Sequence, residues 1–393
     1  MPGKGLLDPG PGTRDILGMK QWLTAPRPLL ALALMALMAC TPRGTITVVP
    51  PDTVPGPIVP LFVGTTRQLD VGGVYGPERS ETLNLARYDI AIPPARQLGK
   101  VVFPKRPTRP DPQTDFLTTA QVFYPTEARF RTDLSRALAV NDHEAVIFVH
   151  GFNNTFAEGL YRFAQLDHDL QIPGVAVHYS WPSAAQPLGY VQDRDSALFA
   201  RDGLEQLIRD VSAAGARRIV LVAHSMGGHL TMEALRQIAL RGDRSLMNKV
   251  DGVVLISPDI DVDVFRMTAK TIGDLPEPFI IFGSPRDGVL RLSSFITGQQ
   301  GRLGSLEDVA KLADLDVTYL DVGAFRDGTG HFTAGTSPGL IRVLGRIEDV
   351  NAAFRGDVGA RTGLLPGVVL TVRRATRIIL TPVGQITGTT LTP

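Results

Sequence analysis

The stretch that most constrains this 393-residue chain is residues 219–228, which reads IVLVAHSMGG. It begins with an apolar run typical of a β-strand, and a helical pattern starts at Gly228. A serine at such a corner, with small residues two positions away (Ala223 and Gly227), is typical of a nucleophile elbow, G-x-S-x-G with alanine in the first place. We expect a positive φ at Ser225, and we expect a side chain at either small position to collide with the opposite arm of the turn. The competing interpretation is a turn whose serine merely caps the helix.

A nucleophilic serine needs a general base and an acid. In chains with this kind of elbow, the acid follows the serine along the sequence and the histidine follows the acid. Only one of the seven histidines, His331, lies beyond residue 229, in a glycine-rich loop after the strand-like run 317–322. Two acids are candidates. Asp287 follows the strand-like run 278–282, and Asp259 follows a similar run one strand earlier. We favour Asp287, because the strand before it is the usual site of the acid in this architecture, and keep Asp259 as the alternative.

An oxyanion hole is also required, since the tetrahedral intermediate carries negative charge on the former carbonyl oxygen. We expect one donor to be the N–H of Met226, directly after the serine, and the other to be the N–H of Phe152, in the loop after strand 145–149. In the same loop we interpret His150 as a residue that shapes the backbone. Trp181 is a candidate wall of the acyl pocket, together with His150; packing in the core is the alternative for Trp181.

The composition of the chain limits the classes of binding partner that we expect. Hydrophobic residues make up 44% of the chain and charged residues 20%, which suits a large globular core, and a net charge of +1 gives no reason to expect nucleic acid or another polyanion. We find no clustered metal ligands and no phosphate-binding glycine loop, so the sequence predicts neither a metal nor a cofactor. Asp193 and Asp195 begin a helical pattern, where first-turn or capping duty is expected.

The N-terminus has the pattern of an export signal. Residues 29–39, LLALALMALMA, are too short as a helix to cross a bilayer but suit the apolar part of a signal peptide, with Lys20 and Arg27 supplying positive charge before it. The run ends at Cys40, the single cysteine, in a sequence that resembles a bacterial lipoprotein cleavage box. We therefore expect an exported protein anchored in a membrane through a lipid on Cys40, with a plain secretory signal as the alternative and Met19 as an alternative start.

The chain divides into four predicted parts: signal peptide 1–40, proline-rich tether 41–60, catalytic domain 61–357 with an N-terminal β extension over 61–141, and tail 358–393. From residue 145 onward, strand-like and helical segments alternate, which predicts an α/β fold with a mostly parallel sheet covered on both faces. Expected strands are 86–92, 100–103, 118–124, 145–149, 175–179, 219–223, 253–257, 279–282 and 317–322. Expected helices are 156–170, 196–213, 228–240, 264–272, 306–313 and 338–354. Residues 288–303 are expected to form either a small cover over the site or a core helix. The tail is expected to form a hairpin, a docked strand or a partner-binding arm.

Several motifs together resemble the α/β-hydrolase superfamily and, more closely, a bacterial esterase/lipase-like group of largely uncharacterised function. They are LFVGTTR (61–67), YDIAIPP (88–94), VFYPTEAR (122–129), FVHGFNNTF (148–156), HYSWPS (178–183), DRDSA (193–197), VAHSMGG (222–228), LISPDIDVDVF (255–265), SPRDGVLRLS (284–293), GRLG (301–304) and GHF (330–332). The resemblance covers residues 61–347. It implies the α/β-hydrolase fold and its catalytic machinery, and it does not specify a substrate.

The sequence thus predicts a serine hydrolase that cleaves a small-molecule or lipid carboxylic ester through an acyl-enzyme intermediate, with Ser225, Asp287 and His331 as the triad. Two alternatives stay open. One is a hydrolase-like binding or scaffolding lipoprotein with little turnover, and the other is an amidase or thioesterase that uses the same triad. The sequence does not indicate a protein partner.

Overall fold

The computed structural model describes residues 43–105, 108–298, 301–325, 331–344, 367–372 and 375–380. The predicted signal peptide, Cys40 and residues 327–330 lie outside the described residues. The described strands are β1 (Ile58–Leu69), β2 (Tyr75–Ala91), β3 (Leu117–Tyr124), β4 (Glu144–Val149), β5 (Val175–Ser180), β6 (Arg218–His224), β7 (Val250–Ile256), β8 (Phe279–Gly283), β9 (Thr318–Asp321), β10 (Gly367–Val372) and β11 (Ala375–Leu380). The described helices are α1 (Glu127–Ala139), α2 (Phe156–Leu170), α3 (Tyr190–Phe199), α4 (Arg201–Ala213), α5 (Met226–Leu240), α6 (Arg244–Met247), α7 (Val262–Ile272), α8 (Gly288–Thr297), α9 (Thr333–Thr336) and α10 (Pro338–Leu344).

The strands form one sheet in the order β10-β11-β9-β8-β7-β6-β4-β5-β1-β2-β3. Every neighbouring pair from β11 to β1 is parallel, and only the outer pairs β1–β2, β2–β3 and β10–β11 are antiparallel. Parallel strands place all their carboxyl ends at one edge, which is where ligand sites of open α/β sheets form. This mostly parallel sheet, with N-terminal strands added at one side, confirms the predicted fold class.

Helices cover both faces of the sheet. Along β4, Ile147 and Val149 belong to one apolar core together with residues of α1, α4 and α5, whereas Val146 and Phe148 belong to a second core together with α2. Neighbouring side chains of a strand point to opposite faces, so a strand buried on both sides reads as a continuous apolar run. This explains why residues 145–149 have no polar alternation.

The chain before β1 is docked on the domain. The Arg43 guanidinium pairs with the Glu158 carboxylate, and the Val49 N–H donates to the Thr118 carbonyl at 2.9 Å. The Thr118 N–H in turn donates to the Thr47 carbonyl at 2.9 Å. The described part of the predicted tether therefore packs against the domain that contains the sheet and does not extend away from it.

Several predicted elements differ from the structure. The proposed strand at 100–103 is irregular, and its Val102 carbonyl accepts from the Phe116 N–H at 2.9 Å, just before β3. The proposed helix at 196–213 is two helices, α3 and α4, and the one at 306–313 is reduced to a single 3₁₀ turn, Val309–Leu312. The proposed helix at 338–354 is described only to Leu344. In the tail, β10 and β11 form a hairpin whose second strand joins β9 in parallel.

Candidate active site

Ser225 stands at the corner between β6 and α5. Its backbone has φ 53° and ψ −121°, and its side chain makes no capping hydrogen bond to the helix. The positive φ confirms the expected strain, and the capping interpretation is wrong. The Ser225 N–H donates to the Ile256 carbonyl at 2.9 Å, and the Ser225 carbonyl accepts from the Asp259 N–H at 3.1 Å. Bonds to the segment that ends β7 and follows it therefore hold the corner from both sides.

Gly227, two positions after the serine, lies close to a neighbouring strand. A Cβ built on Gly227 would lie 2.4 Å from the His150 carbonyl oxygen and 2.7 Å from the Val149 carbonyl oxygen. The nearest obstruction is therefore the end of the neighbouring strand β4. Gly227 lets the start of α5 pass directly under that strand end.

His331 and Asp287 lie next to Ser225, as the motif order predicts. The His331 Nε2 is 3.0 Å from the Ser225 Oγ, and the His331 Nδ1 is 2.8 Å from the Asp287 Oδ2. The other carboxylate oxygen of Asp287 caps α8, accepting from the N–H groups of Val289 and Leu290 at 3.0 and 3.1 Å. Because the helix N-terminus fixes one oxygen, the second is held in place for the imidazole.

Asp259, the alternative acid, lies in a different set of contacts. Its carboxylate accepts from the Tyr190 hydroxyl at 2.9 Å and from the Ser293 hydroxyl at 2.5 Å, and it pairs with the Arg302 guanidinium at 3.0 Å. The structure therefore places Asp287, and not Asp259, beside His331. The Asp259 network joins α3 and α8 beneath the site, which positions the helix that begins at Asp287.

The loop after β4, residues 150–154, lies against the serine corner. A Cβ on Gly151 would come within 2.9 Å of the Ser225 Cβ. The Asn154 amide donates to the carbonyls of Gly151 and Phe152 at 3.1 and 2.9 Å. In a planar trans peptide the N–H points opposite to the C=O, so the Phe152 N–H is directed away from Asn154. Met226 is the first residue of α5, and an N–H at that position has no partner within its own helix.

His150 and Trp181 are buried packing residues and do not line a pocket. Their rings stack 4.9 Å apart with 12° between planes, and only 1% and 0% of their surfaces are exposed. The Trp181 indole N–H donates to the His150 carbonyl at 2.7 Å. The pocket assignment is therefore wrong for both residues, since neither side chain reaches a surface that substrate can touch. The backbone-shaping interpretation of His150 is confirmed, because its Nδ1 lies 2.9 Å from the Gly151 carbonyl oxygen.

A small cavity of about 30 Å³ lies beside Met226. It is lined by Tyr190, Arg194, Met226, His229, Asp259, Ile260, Asp261, Val264 and Arg302. Burial lowers the pKa of His229, so its imidazole is neutral near pH 7. Along helix α8, Val289, Leu292, Phe295 and Ile296 are exposed, whereas Leu290 and Ser293 face inward.

Two polar residues near the site were missed or misjudged in the sequence. His224 packs its ring 4.9 Å from that of His331 and 4.3 Å from that of Phe332, and burial followed by the nearby His331 lowers its pKa well below 6.5. Asp193 is fully buried and accepts from the Ser183 hydroxyl at 2.5 Å and the Ala184 N–H at 2.6 Å. Asp193 lies in the first turn of α3, as expected, but its carboxylate does not cap that helix and instead binds the 183–184 segment. In the sequence, the HYSWPS and DRDSA motifs contain Ser183 and Asp193, but they do not indicate that these two side chains bind each other.

In the part of the chain that the structure describes, no group of histidine, cysteine, aspartate and glutamate side chains is arranged to hold a metal ion. Among the same residues, no helix combines the length and the hydropathy needed to cross a bilayer.

Comparison with known proteins gives one family and several distant structures. The family model described as "Alpha/beta hydrolase of unknown function (DUF900)" matches residues 126–338, and no curated protein matches the chain. The esterase B structure from Lactobacillus rhamnosis is 15% identical over 55% of this chain and 80% of its own, with a TM-score of 0.31. A YdeN-like hydrolase from Pectobacterium atrosepticum is 18% identical over 56% and 98%, with a TM-score of 0.31. Lipase B from Aspergillus fumigatus is 17% identical with a TM-score of 0.26, and the match covers 37% of this chain and 38% of the lipase.

Gly227→Ala should lower the free energy of unfolding by about 1–3 kcal/mol, because the new methyl group meets two fixed backbone carbonyls. The matched control is Gly228→Ala in the same helix, whose added methyl group would lie 3.3 Å from the Pro258 side chain at its nearest contact. That control should be neutral or stabilising by up to about 1 kcal/mol, since alanine is the better helix former. Urea unfolding of both variants measures the difference. Equal stabilities would contradict the close packing of Gly227.

Proposed function

Because this chain belongs to the DUF900 family of α/β hydrolases, whose model spans 213 of the 393 residues (126–338), we propose that it is a serine hydrolase that cleaves carboxylic esters. The observation that carries the proposal is the continuous hydrogen-bond chain from Ser225 through His331 to Asp287. Ser225 and Asp287 are 3% and 1% exposed, so bulk water competes little for these bonds.

In the proposed reaction the Ser225 Oγ attacks the ester carbonyl carbon while the His331 Nε2 takes the hydroxyl proton. Asp287 accepts from the Nδ1–H, which fixes the tautomer and offsets the charge of the imidazolium. The C–O bond to the leaving alcohol then breaks, and the proton on Nε2 passes to that oxygen. Water, deprotonated by the same Nε2, attacks the acyl-enzyme and releases the acid and Ser225.

In this proposal the backbone N–H groups of Met226 and Phe152 donate hydrogen bonds to the negative oxygen of the tetrahedral intermediate. Each such donor typically accelerates the reaction by about 10²–10³-fold. Support comes from the position of Met226 as the first residue of α5, and from the close approach of Gly151 to the serine corner, where an added Cβ would lie 2.9 Å from the Ser225 Cβ. Both donors are backbone groups, so the proposal does not depend on the side chains of Phe152 and Met226.

Replacing Ser225 with alanine should abolish release of p-nitrophenol from p-nitrophenyl butyrate. Asp287→Asn should lower kcat by about 10⁴-fold, because an amide that donates to Nδ1 favours the wrong histidine tautomer. Initial rates over a range of ester concentrations give kcat and KM for each variant, and circular dichroism verifies the fold.

Asp308→Asn is the matched control, since the Asp308 carboxylate also caps a short helix, accepting from Ala310 N–H at 2.9 Å, in a segment away from His331. It should keep the wild-type kcat. The wild-type serine should react with a fluorophosphonate probe, and the Ser225→Ala chain should not. An unlabelled wild type would contradict the proposal and favour a binding or scaffolding role. Turnover of amides or thioesters with no turnover of esters would indicate an amidase or thioesterase.

The cavity beside Met226 indicates the kind of ester. Six of its nine lining residues are polar or charged, and its volume of about 30 Å³ is far below the roughly 300–1,000 Å³ of ligand pockets. A long acyl chain gains about 0.8 kcal/mol for each methylene that it buries against apolar surface, and little such surface is present here. We therefore infer that the substrate has a short or polar group on the side that enters this cavity.

For p-nitrophenyl esters from two to sixteen acyl carbons, kcat/KM should be highest for the short chains and fall with length. Arg194→Met should raise kcat/KM for eight carbons relative to four, because it removes an exposed charge from the cavity wall. Hydrolysis by Ser225→Ala provides the background rate. A wild-type preference for sixteen carbons would contradict this assignment and leave the triad proposal intact.

The cellular location is a second proposal, supported by sequence alone: an exported protein held at a membrane through a lipid on Cys40. Labelling of the full chain with radioactive palmitate in a bacterial host should mark the wild type. Cys40→Ser should lose the label and leave the membrane fraction, whereas Thr41→Ser should keep it. A soluble, unlabelled wild type would favour the plain secretory signal.

A further inference from the structure

One motif of the N-terminal β segment has no part in the proposed chemistry. LFVGTTR ends at Arg67, on β1, which is 1% exposed although arginine is seldom buried. All five guanidinium N–H groups can be assigned acceptors. They are the Ser180 Oγ at 2.9 Å, the Gly76 carbonyl at 3.1 Å, the Ser183 carbonyl at 3.2 Å, the Asn154 carbonyl at 2.9 Å and the His150 Nε2 at 3.4 Å.

The contact with His150 selects one form of that ring. Burial and the neighbouring Arg67 charge lower the pKa of His150 well below 6.5, so the ring is neutral and carries a single proton. Arg67 Nη2, which can only donate, and the Ser180 hydroxyl, which can donate or accept, each lie 3.4 Å from its Nε2. A proton on Nε2 could reach the Trp181 carbonyl at 3.1 Å but would oppose the Arg67 N–H. That carbonyl already accepts from the Ser183 N–H at 2.8 Å. The arrangement therefore favours the proton on Nδ1.

A proton on Nδ1 fixes the oxyanion loop. It donates to the Gly151 carbonyl at 2.9 Å, on the same oxygen that Asn154 reaches at 3.1 Å. The Gly151 carbonyl and the Phe152 N–H belong to one planar peptide and point in opposite directions. Whatever holds the carbonyl thus sets the direction of the N–H. Arg67 acts at both ends of this loop, because it also bonds the Asn154 carbonyl.

We propose that Arg67 is a positioning residue that orients the Gly151–Phe152 peptide by holding His150 as the Nδ1–H tautomer and by fixing the Asn154 carbonyl. The catalytic consequence rests on the proposed function, whereas the tautomer does not. The N-terminal strands thereby contribute to the site, although none of their side chains reaches the reacting atoms.

The first test is the tautomer, measured by nitrogen-15 NMR of the imidazole groups in the full, unmodified chain. The His150 signals are identified by their absence in His150→Asn. They should show a protonated Nδ1 and an unprotonated Nε2. An Nε2–H tautomer would overturn the proposal. This measurement does not depend on enzymatic activity. A wild type without esterase activity would therefore contradict the proposed function and leave the tautomer assignment intact.

The second test is a double-mutant cycle on kcat for p-nitrophenyl butyrate. Arg67→Met, which keeps the length and removes the donors, should lower kcat roughly 10- to 100-fold with KM within about twofold, because Asn154 still holds part of the loop. In a His150→Asn background the asparagine amide can donate to Gly151 without a tautomer, so the same change should cost several-fold less. Equal effects in the two backgrounds, or a change in KM alone, would overturn the proposal.

Arg87→Met is the matched control. Arg87 lies on the adjacent strand β2 and pairs with Asp89 at 2.8 Å, away from the loop, so its removal should leave kcat unchanged. Thermal unfolding monitors stability in every variant. Should Arg67→Met fail to fold, Arg67→Lys replaces it: a single ammonium cannot reproduce five donors, so it too should lower kcat with KM retained. A lysine variant with wild-type kcat would count against the proposal.

Discussion

The close contact between the ends of β4 and β6 is the constraint on which the site depends. The two strands pair in parallel, with Val149 opposite Ala223, so the residues that follow them emerge side by side. Glycines at 227 and 151 let the two backbones approach until no side chain fits between them. The nucleophile and the oxyanion loop are therefore positioned by the register of a buried sheet. That register cannot slip without turning every core side chain to the other face.

The parts of the site that sequence could predict are those coded by local geometry and chain order. The strain at Ser225 follows from the corner itself, and the choice of His331 follows from its being the one histidine beyond residue 229. The choice between Asp259 and Asp287 was open, because both follow strands of the same parallel sheet. Contacts that sequence does not display decide it: Asp259 is engaged by Arg302, and Asp287 is held at the start of α8.

The parts that sequence could not predict depend on burial and on partners far along the chain. Arg67 and His150 are 83 residues apart, and an arginine at the end of a strand ordinarily faces water. Asp193 has the same sequence appearance as a first-turn cap, yet it is buried under the loop that it supports. The motifs identified the residue types. They gave no information on which carbonyl or hydroxyl each side chain would meet, since that is fixed by tertiary packing.

Burying the charged side chains of Arg67 and Asp193 beside the oxyanion loop costs free energy, so their presence there calls for an explanation. Burial lowers the pKa of Arg67 to about 9 and raises the pKa of Asp193, so each group resists its charged form. Apolar residues of similar volume are often as stabilising as a buried ion pair, so stability alone does not account for these charges. Hydrogen bonds have direction, which apolar contacts lack. The Gly151–Phe152 peptide must keep one orientation beside the nucleophile, which requires donors and acceptors at fixed positions. Arg67 supplies five donors from a single rigid plane.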